Sequence, residues 1–287
     1  VVLCFFVSDL HGQVSRFETL FEFISRERPA AVFLGGDILP KAWRIQGPLD
    51  LVHEDFINDY LVKKLLDLYK DLGNSYPRIF LIMGNDDGRF EEAAVLDAAV
   101  LGVWEYIHSR RVALGNFSVF GYACVPPTPF LLKDWERYDV SRYVDPGAVS
   151  PEEGWRSVPV SEREKKYSTI KDDLERLAGE EDLAKAIFLF HAPPYRTNLD
   201  TSFLERKVID HVPLDRHLGS IAVRRFIEAR QPLLTLHGHI HEAAGISHAW
   251  RDRIGRTHCF TAAHHGPELA LVRFDPENLN DATRELI

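Results

Sequence analysis

Five short apolar runs in this chain each stop at a side chain able to bind a metal ion, and that recurrence limits the folds open to it. Leu233, Leu234 and Leu236 lead into Gly238, His239, Ile240 and His241. A glycine after such a run marks a strand end turning into a loop, and at a strand tip both imidazoles can reach one point in space. The run 2–8 leads to Asp9 and His11, and the run 31–36 to Asp37. The run 79–84 leads to Asn85, Asp86 and Asp87, and the run 187–190 to His191. Any one of these residues alone reads as an ordinary core or surface side chain. Five strand ends in succession carrying the same kind of chemistry do not.

The sequence between the runs supplies the connections. Residues 1–7 are apolar on both faces, as in a central strand covered on both sides. Val14, Phe17, Leu20, Phe21 and Ile24 then recur at helical spacing among charges, which predicts an amphipathic helix. Pro29 ends it and 31–34 returns as a strand. This βαβ unit brings Asp9, His11 and Asp37 out at one sheet edge. Residues 38–53 read as an irregular loop, followed by a helix with Ile57, Leu61, Leu65, Leu68 and Leu72 on one face. Tyr106, 110–114 and 117–122 read as a meander with a hairpin turn at Gly115-Asn116. Residues 161–177 and 221–227 read as helices, and 245–250, 257–262 and 269–274 as closing β-strands. The segment 126–159 holds six prolines and reads as an ordered, irregular insertion. Trp135, Tyr138, Tyr143 and Trp155 need something to pack on, which suggests a lid over the strand carboxyl edge. The length of 287 residues fits a single domain, 1–287.

Charge and cysteine usage trim the function classes. A net charge of −9 argues against a nucleic-acid partner, because neutralising phosphates takes clustered Lys and Arg, although bound cations add charge that this number omits. Cys4, Cys124 and Cys259 show no CxxC spacing and read as buried free thiols. The first apolar run is only about seven residues long and lacks a basic flank, so it reads as neither a signal peptide nor a membrane span. No membrane partner is expected, and the cytoplasm is the expected location. The sequence leaves the oligomeric state open.

Carboxylate, imidazole and amide donors together suit Mn, Fe or Zn better than Ca. Seven of them exceed what one ion takes, so two divalent ions sharing a bridging carboxylate are expected. Such a pair can clamp a phosphoryl group and generate hydroxide at neutral pH.

On these residues the chain resembles the calcineurin-like metallophosphoesterase family. That family's pattern is Asp-x-His, Gly-Asp, Gly-Asn-His-Asp/Glu, a lone His, then Gly-His-x-His. Here it is met by Asp9-Leu10-His11, Gly36-Asp37, Gly84-Asn85, His191 and Gly238-His239-Ile240-His241. The resemblance implies an α/β fold, a four-layer α/β/β/α sandwich of two mixed sheets with the metal site at the strand carboxyl ends. It implies that Asp9, His11, Asp37 and His241 hold one metal. Asp37, Asn85, His191 and His239 would hold the other, with Asp37 as the bridge. The implied activity is hydrolysis of a small phosphomono- or phosphodiester, the small phosphoester being the expected partner. The competing reading is a scaffold of this superfamily that has lost catalysis and binds proteins. Such scaffolds erode their ligands, and all seven stand here. A nuclease of the double-strand-break-repair type is disfavoured by the acidic balance.

One position departs from the family. The His after Asn, thought to protonate the leaving group or steady the transition state, is Asp86 here. Beside two cations a carboxyl is held ionised, so Asp86, the one candidate catalytic side chain, is expected to be a poor general acid. Arg89 could meet a phosphate oxygen, and His264 or His265 could stand in for the missing His.

Overall fold

The computed structural model describes residues 2–41, 55–204, 208–209 and 211–287; most of the expected 38–53 loop lies outside them. The first half of the chain runs Cys4–Val7 (β1), Val14–Glu27 (α1), Ala31–Gly35 (β2), Val62–Leu72 (α2), Arg78–Ile82 (β3) and Glu92–Val100 (α3). Glu105–Tyr106 (β4), Arg110–Leu114 (β5) and Phe117–Tyr122 (β6) follow. The second half holds Glu162–Tyr167 (α4), Ile170–Ala178 (α5), Ala186–Phe190 (β7), a ribbon of Val208–Ile209 (β8) and Val212–Pro213 (β9), and Ile221–Arg230 (α6). It closes with Leu234–His237 (β10), Ala243–Ser247 (α7), Arg251–Ile254 (β11), Thr257–Thr261 (β12), Ala270–Asp275 (β13) and Asn278–Leu286 (β14).

These strands build two mixed sheets, ordered β14-β13-β1-β2-β3-β4 and β11-β12-β10-β7-β6-β5. In the first, β1 to β4 run parallel and β13 and β14 antiparallel. In the second, β6, β7, β10 and β12 run parallel, with antiparallel β5 and β11 at the edges. The sheets meet face to face, β2 on β7 and β3 on β6, and Phe260 lies 6.4 Å from Phe274 between ring centroids across the gap. The outer face of the first sheet turns Val32, Leu34 and Ile79 toward Phe17, Leu20 and Ile24 of α1 and Leu65 of α2. On the second sheet Phe188 meets Phe226 of α6 at 5.1 Å. The layers are therefore helix, sheet, sheet, helix. Parallel strands covered on both faces must be apolar throughout, and β1, β2 and β7 are buried at every position.

Several elements differ from the sequence reading. The segment 245–250 is not a strand: Ala243–Ser247 forms a short helix, and pairing with β12 begins at Arg251. Alanines favour the helical turn there. The 161–177 helix divides at Ser168, because Thr169 Oγ1 accepts the Asp172 amide and starts a second helix, as an N-cap does. Strand β14 is polar at most positions and buries only Leu279 and Ala282. Such an edge strand carries little apolar pattern.

The segment 126–159 contains no helix or strand, yet it is built into the core. Trp135 is buried and donates Nε1–H to the Asp87 carbonyl at 2.9 Å. Asp134 accepts the Arg89 amide, and Asp139 accepts the Ile221 amide at the start of α6. Tyr138 is buried as well, whereas Tyr143 and Trp155 are exposed. Beneath them, fully buried Lys133 pairs with Glu136 at 2.6 Å, and the Thr128 amide and hydroxyl also donate to Glu136. All three cysteines are buried free thiols.

Removing one partner of a buried ion pair strands the other charge. Lys133→Met should therefore lower the unfolding free energy by roughly 3–5 kcal/mol in a urea titration. Adding Glu136→Leu should recover part of that loss, and a single variant as stable as the parent would show that the pair holds nothing.

Candidate metal centre

All five ligand-bearing loops leave the carboxyl ends of parallel strands, so they converge where the two sheets meet. Backbone hydrogen bonds lock them to one another. The Asp9 and His11 amides donate to the Gly36 and Asp37 carbonyls, and the Gly238 amide donates to the His191 carbonyl. Asp9, His11, Asp37 and His239 take φ values of 58°, 48°, 51° and 72°. This left-handed region is unfavourable for residues with a Cβ and concentrates at functional sites. It turns each side chain sharply off its strand.

Among the described residues, two groups of potential ligand atoms form. Asp9, His11, Asp37 and His241 make one; Asp37, His191 and His239 make the other, and Asp37 belongs to both. In the first, His241 Nε2 lies 3.1 Å from both His11 Nε2 and Asp9 Oδ1. Atoms sharing an ion at bonds of ~2.0–2.2 Å stand roughly 3–3.5 Å apart, so this spacing fits a metal. In the second, His191 Nε2 lies 3.2 Å from Asp37 Oδ2 and 3.1 Å from Asn85 Oδ1. His191 Nδ1 donates to the Gly35 carbonyl at 2.8 Å. A carbonyl only accepts, so Nδ1 carries a proton and Nε2 is the nitrogen that faces the cluster, the usual support of a ligating histidine. Gly84 and Gly238 leave the room: a Cβ on Gly84 would strike Asp37 Oδ1 and sit 2.7 Å from His191 Nε2. On Gly238 it would sit 2.7 Å from Asp9 Oδ2.

The electrostatics suit a cation. Burial works against the charges of Asp9 and Asp37, yet the surrounding histidines hold Asp9 far below the usual carboxylate range and Asp37 down to about 2. Burial pushes His11 down to about 4 and His239 to about 3, keeping both neutral as ligation requires. His191 moves the other way: despite its burial, the Asp37 and Asp9 carboxylates raise it to about 10. It takes a proton where the cluster calls for positive charge. Asp86 accepts from Asn85 Nδ2 at 3.0 Å, and its Oδ2 stands 3.8 Å from His11 Nδ1. Burial, then the Asp37 carboxylate, raise it to about 6. At about 6 it is still largely ionised at neutral pH, the neighbouring Lys41 ammonium opposing the rise.

The other candidates fare differently. Arg89 is engaged by Glu92 at 3.0 Å and lies over the Trp135 ring. His264 Nε2 pairs with Glu268 at 2.9 Å, and neither His264 nor His265 belongs to the ligand groups. Three supporting residues were given no role of their own in the sequence. Ser8 Oγ donates to Asp9 Oδ2 at 2.5 Å. Arg16 is buried, donating to the Asp9 carbonyl at 2.7 Å and to the Gly266 carbonyl. The Asp87 carboxylate accepts the Leu39 and Gly84 amides, each at 2.8 Å, tying the second and third loops together. Asp87 was visible as part of an acidic run; Ser8 and Arg16 carried no signal beyond position.

The family model described as calcineurin-like phosphoesterase matches residues 4–243. Among solved structures, TT1561 of Thermus thermophilus is similar at 14% identity and a TM-score of 0.58, covering 100% of this chain and 99% of its own. A dimetal phosphatase from Danio rerio is similar at 13% identity and a TM-score of 0.50, covering 95% and 92%. No curated protein matches the chain.

Two outcomes are expected of this cluster. A metal must displace the proton that His191 keeps up to about pH 10, so metal uptake should release a proton, and affinity should rise with pH by up to about tenfold per unit between pH 6 and 8. Calorimetry in two buffers of different ionisation heat measures that release; an affinity flat in pH would contradict it. Gly84→Ala should displace Asp37 and His191 and weaken metal binding by about 10–100-fold. The same titration reads it.

Proposed function

We propose, from the premise that the chain belongs to the calcineurin-like phosphoesterase family, that it hydrolyses a small phosphomono- or phosphodiester using two divalent ions. Asp9, His11, Asp37 and His241 would hold one ion, and Asp37, Asn85, His191 and His239 the other. Mn, Fe or Zn suits this donor set. Bound there, the pair would supply Lewis-acid stabilisation of phosphoryl charge and a nucleophile at neutral pH. The observation that carries the reading is that the buried Asp37 carboxylate belongs to both ligand groups.

The chain's own residues set up the chemistry. Asp9 and Asp37 are aimed by hydrogen bonds, Asp9 by Ser8 Oγ and the His239 amide, Asp37 by the Asp86 amide. His191 is oriented by Gly35. Asp86 is buried, 6% exposed, beside His11 of the first ligand group, where it would face an anionic substrate. A protein-binding scaffold needs none of this aiming, and for that reason the enzyme is the better reading.

Elemental analysis of the saturated protein together with a panel of phosphoesters tests the proposal. Two ions per chain and metal-dependent turnover of at least one phosphoester are expected. Asp37→Asn should empty or displace at least one site and cut turnover by ~10²-fold or more. One ion per chain at saturation, or no hydrolysis of any ester by the loaded protein, would overturn it.

A further inference from the structure

The second loop does more than present Asp37. Its next residues are held rigidly. The Ile38 and Leu39 amides donate to the buried Asp87 carboxylate at 3.3 and 2.8 Å, and the Ile38 carbonyl accepts the Gly12 amide at 2.9 Å. Pro40 packs so closely on Gly12 that a Cβ there would lie 2.6 Å from the Pro40 ring. Gly12 itself takes φ +65°, so glycine is required on both counts. Lys41 stands at the end of this braced turn. Its Nζ lies 3.4 Å from Asp86 Oδ2, the oxygen that faces His11, and its side chain is 28% exposed. Its charge reaches the first ligand group, where it acts on His11 and His241.

This placement resolves a difficulty in the site. A carboxylate beside a phosphoester site repels the phosphoryl group and opposes charge building on the departing oxygen. Beside an ammonium the carboxylate is neutralised, and an ammonium has three N–H donors, so it can serve a carboxylate oxygen and a phosphoryl oxygen together. The sequence reading looked to His264 or His265 for the missing function, but the His264 imidazole is paired with Glu268 and neither residue belongs to the ligand groups. Lys41 instead comes from the same loop as Asp37, on the side where Asp86 stands.

We infer that Lys41 is a substrate-contacting residue, held in place by Asp86, whose ammonium donates a hydrogen bond to the leaving-group oxygen of the phosphoester as the P–O bond breaks. The inference rests on the hydrolase reading above. In the balanced step, water supplies the oxygen that joins phosphorus, and the electron pair of the breaking P–O bond stays on the leaving oxygen. Lys41 stabilises that charge without giving up its proton, and the alcohol takes its proton from solvent. An aryl leaving oxygen spreads its charge into the ring and needs little such help, whereas an alkoxide needs most. Lys41 therefore acts selectively, and Asp86 is a positioning residue.

The test uses the metal-loaded 287-residue chain with p-nitrophenyl phosphate, an alkyl phosphomonoester, and calorimetric binding of inorganic phosphate. Lys41→Met should lower kcat on the alkyl ester by about 10²-fold, the scale of losing one preorganised donor. It should lower kcat on the aryl ester by less than about tenfold and weaken phosphate binding by roughly tenfold. Lys41→Arg should restore most of each loss, and Asp86→Asn should lower alkyl turnover in the same direction by a smaller factor. Equal loss on both esters, or no loss on either with phosphate affinity unchanged, would overturn the role of Lys41 while leaving the hydrolase reading intact. A wild type that neither binds phosphate nor hydrolyses either ester would fail the hydrolase reading itself. If Lys41→Met does not fold, the Lys41→Gln and Asp86→Asn variants carry the same comparison.

Discussion

Two ionised carboxylates, Asp9 and Asp37, sit almost fully out of solvent where the sheets meet, and the rest of the architecture answers to that fact. Holding a carboxylate charged in such a place costs several kcal/mol unless positive partners surround it. Four histidines gather there, His191 raised far enough to carry a proton. The cluster is thus a trap for positive charge built before any ion arrives. A metal family is the natural tenant because imidazole and carboxylate donors already lie at the spacing of atoms that share an ion.

The fold supplies this convergence through topology. Strands β1, β2, β3, β7 and β10 lie inside their sheets, β1, β2 and β3 parallel to one another and β7 parallel to β10, so all five end at the edge where the ligands emerge. Tightening follows from the loops. Four ligands are wound into left-handed backbone, a conformation that costs roughly 1–3 kcal/mol at each such residue. That strain is offset by Asp87 bridging two loops, by Arg16 gripping the Asp9 carbonyl, and by glycines at 84 and 238 where no Cβ fits. The side chains are aimed before any substrate binds, as the proposed two-metal chemistry would require.

The sequence exposed the parts of this that depend on local pattern. Buried parallel strands must be apolar on both faces, so β2, β3, β7 and β10 were legible within a residue or two and β1 within three, and their terminal ligands with them. The amphipathic stripe of α1 and the Gly115-Asn116 hairpin were legible for the same reason. Strand β14 was not, because an edge strand needs only Leu279 and Ala282 to face inward. The 243–247 helix was not, because five residues carry no helical period. The reading of 126–159 as an ordered insertion drew on aromatics that need something to pack on; Trp135 and Tyr138 are buried, while Tyr143 and Trp155 face outward. Contacts between distant loops had no signature at all: nothing in the chain announces that Arg16 reaches Gly266, or that Lys41 meets Asp86 forty-five positions away.

The central claim is that Asp37 is a shared ligand between two ions. Anomalous diffraction from crystals of the Mn-loaded protein tests it most directly. The account predicts two anomalous peaks about 3.5–4 Å apart, both in contact with the Asp37 carboxylate, one beside His11 and His241 and the other beside His191 and His239. A single peak, or two peaks of which only one touches Asp37, would contradict it.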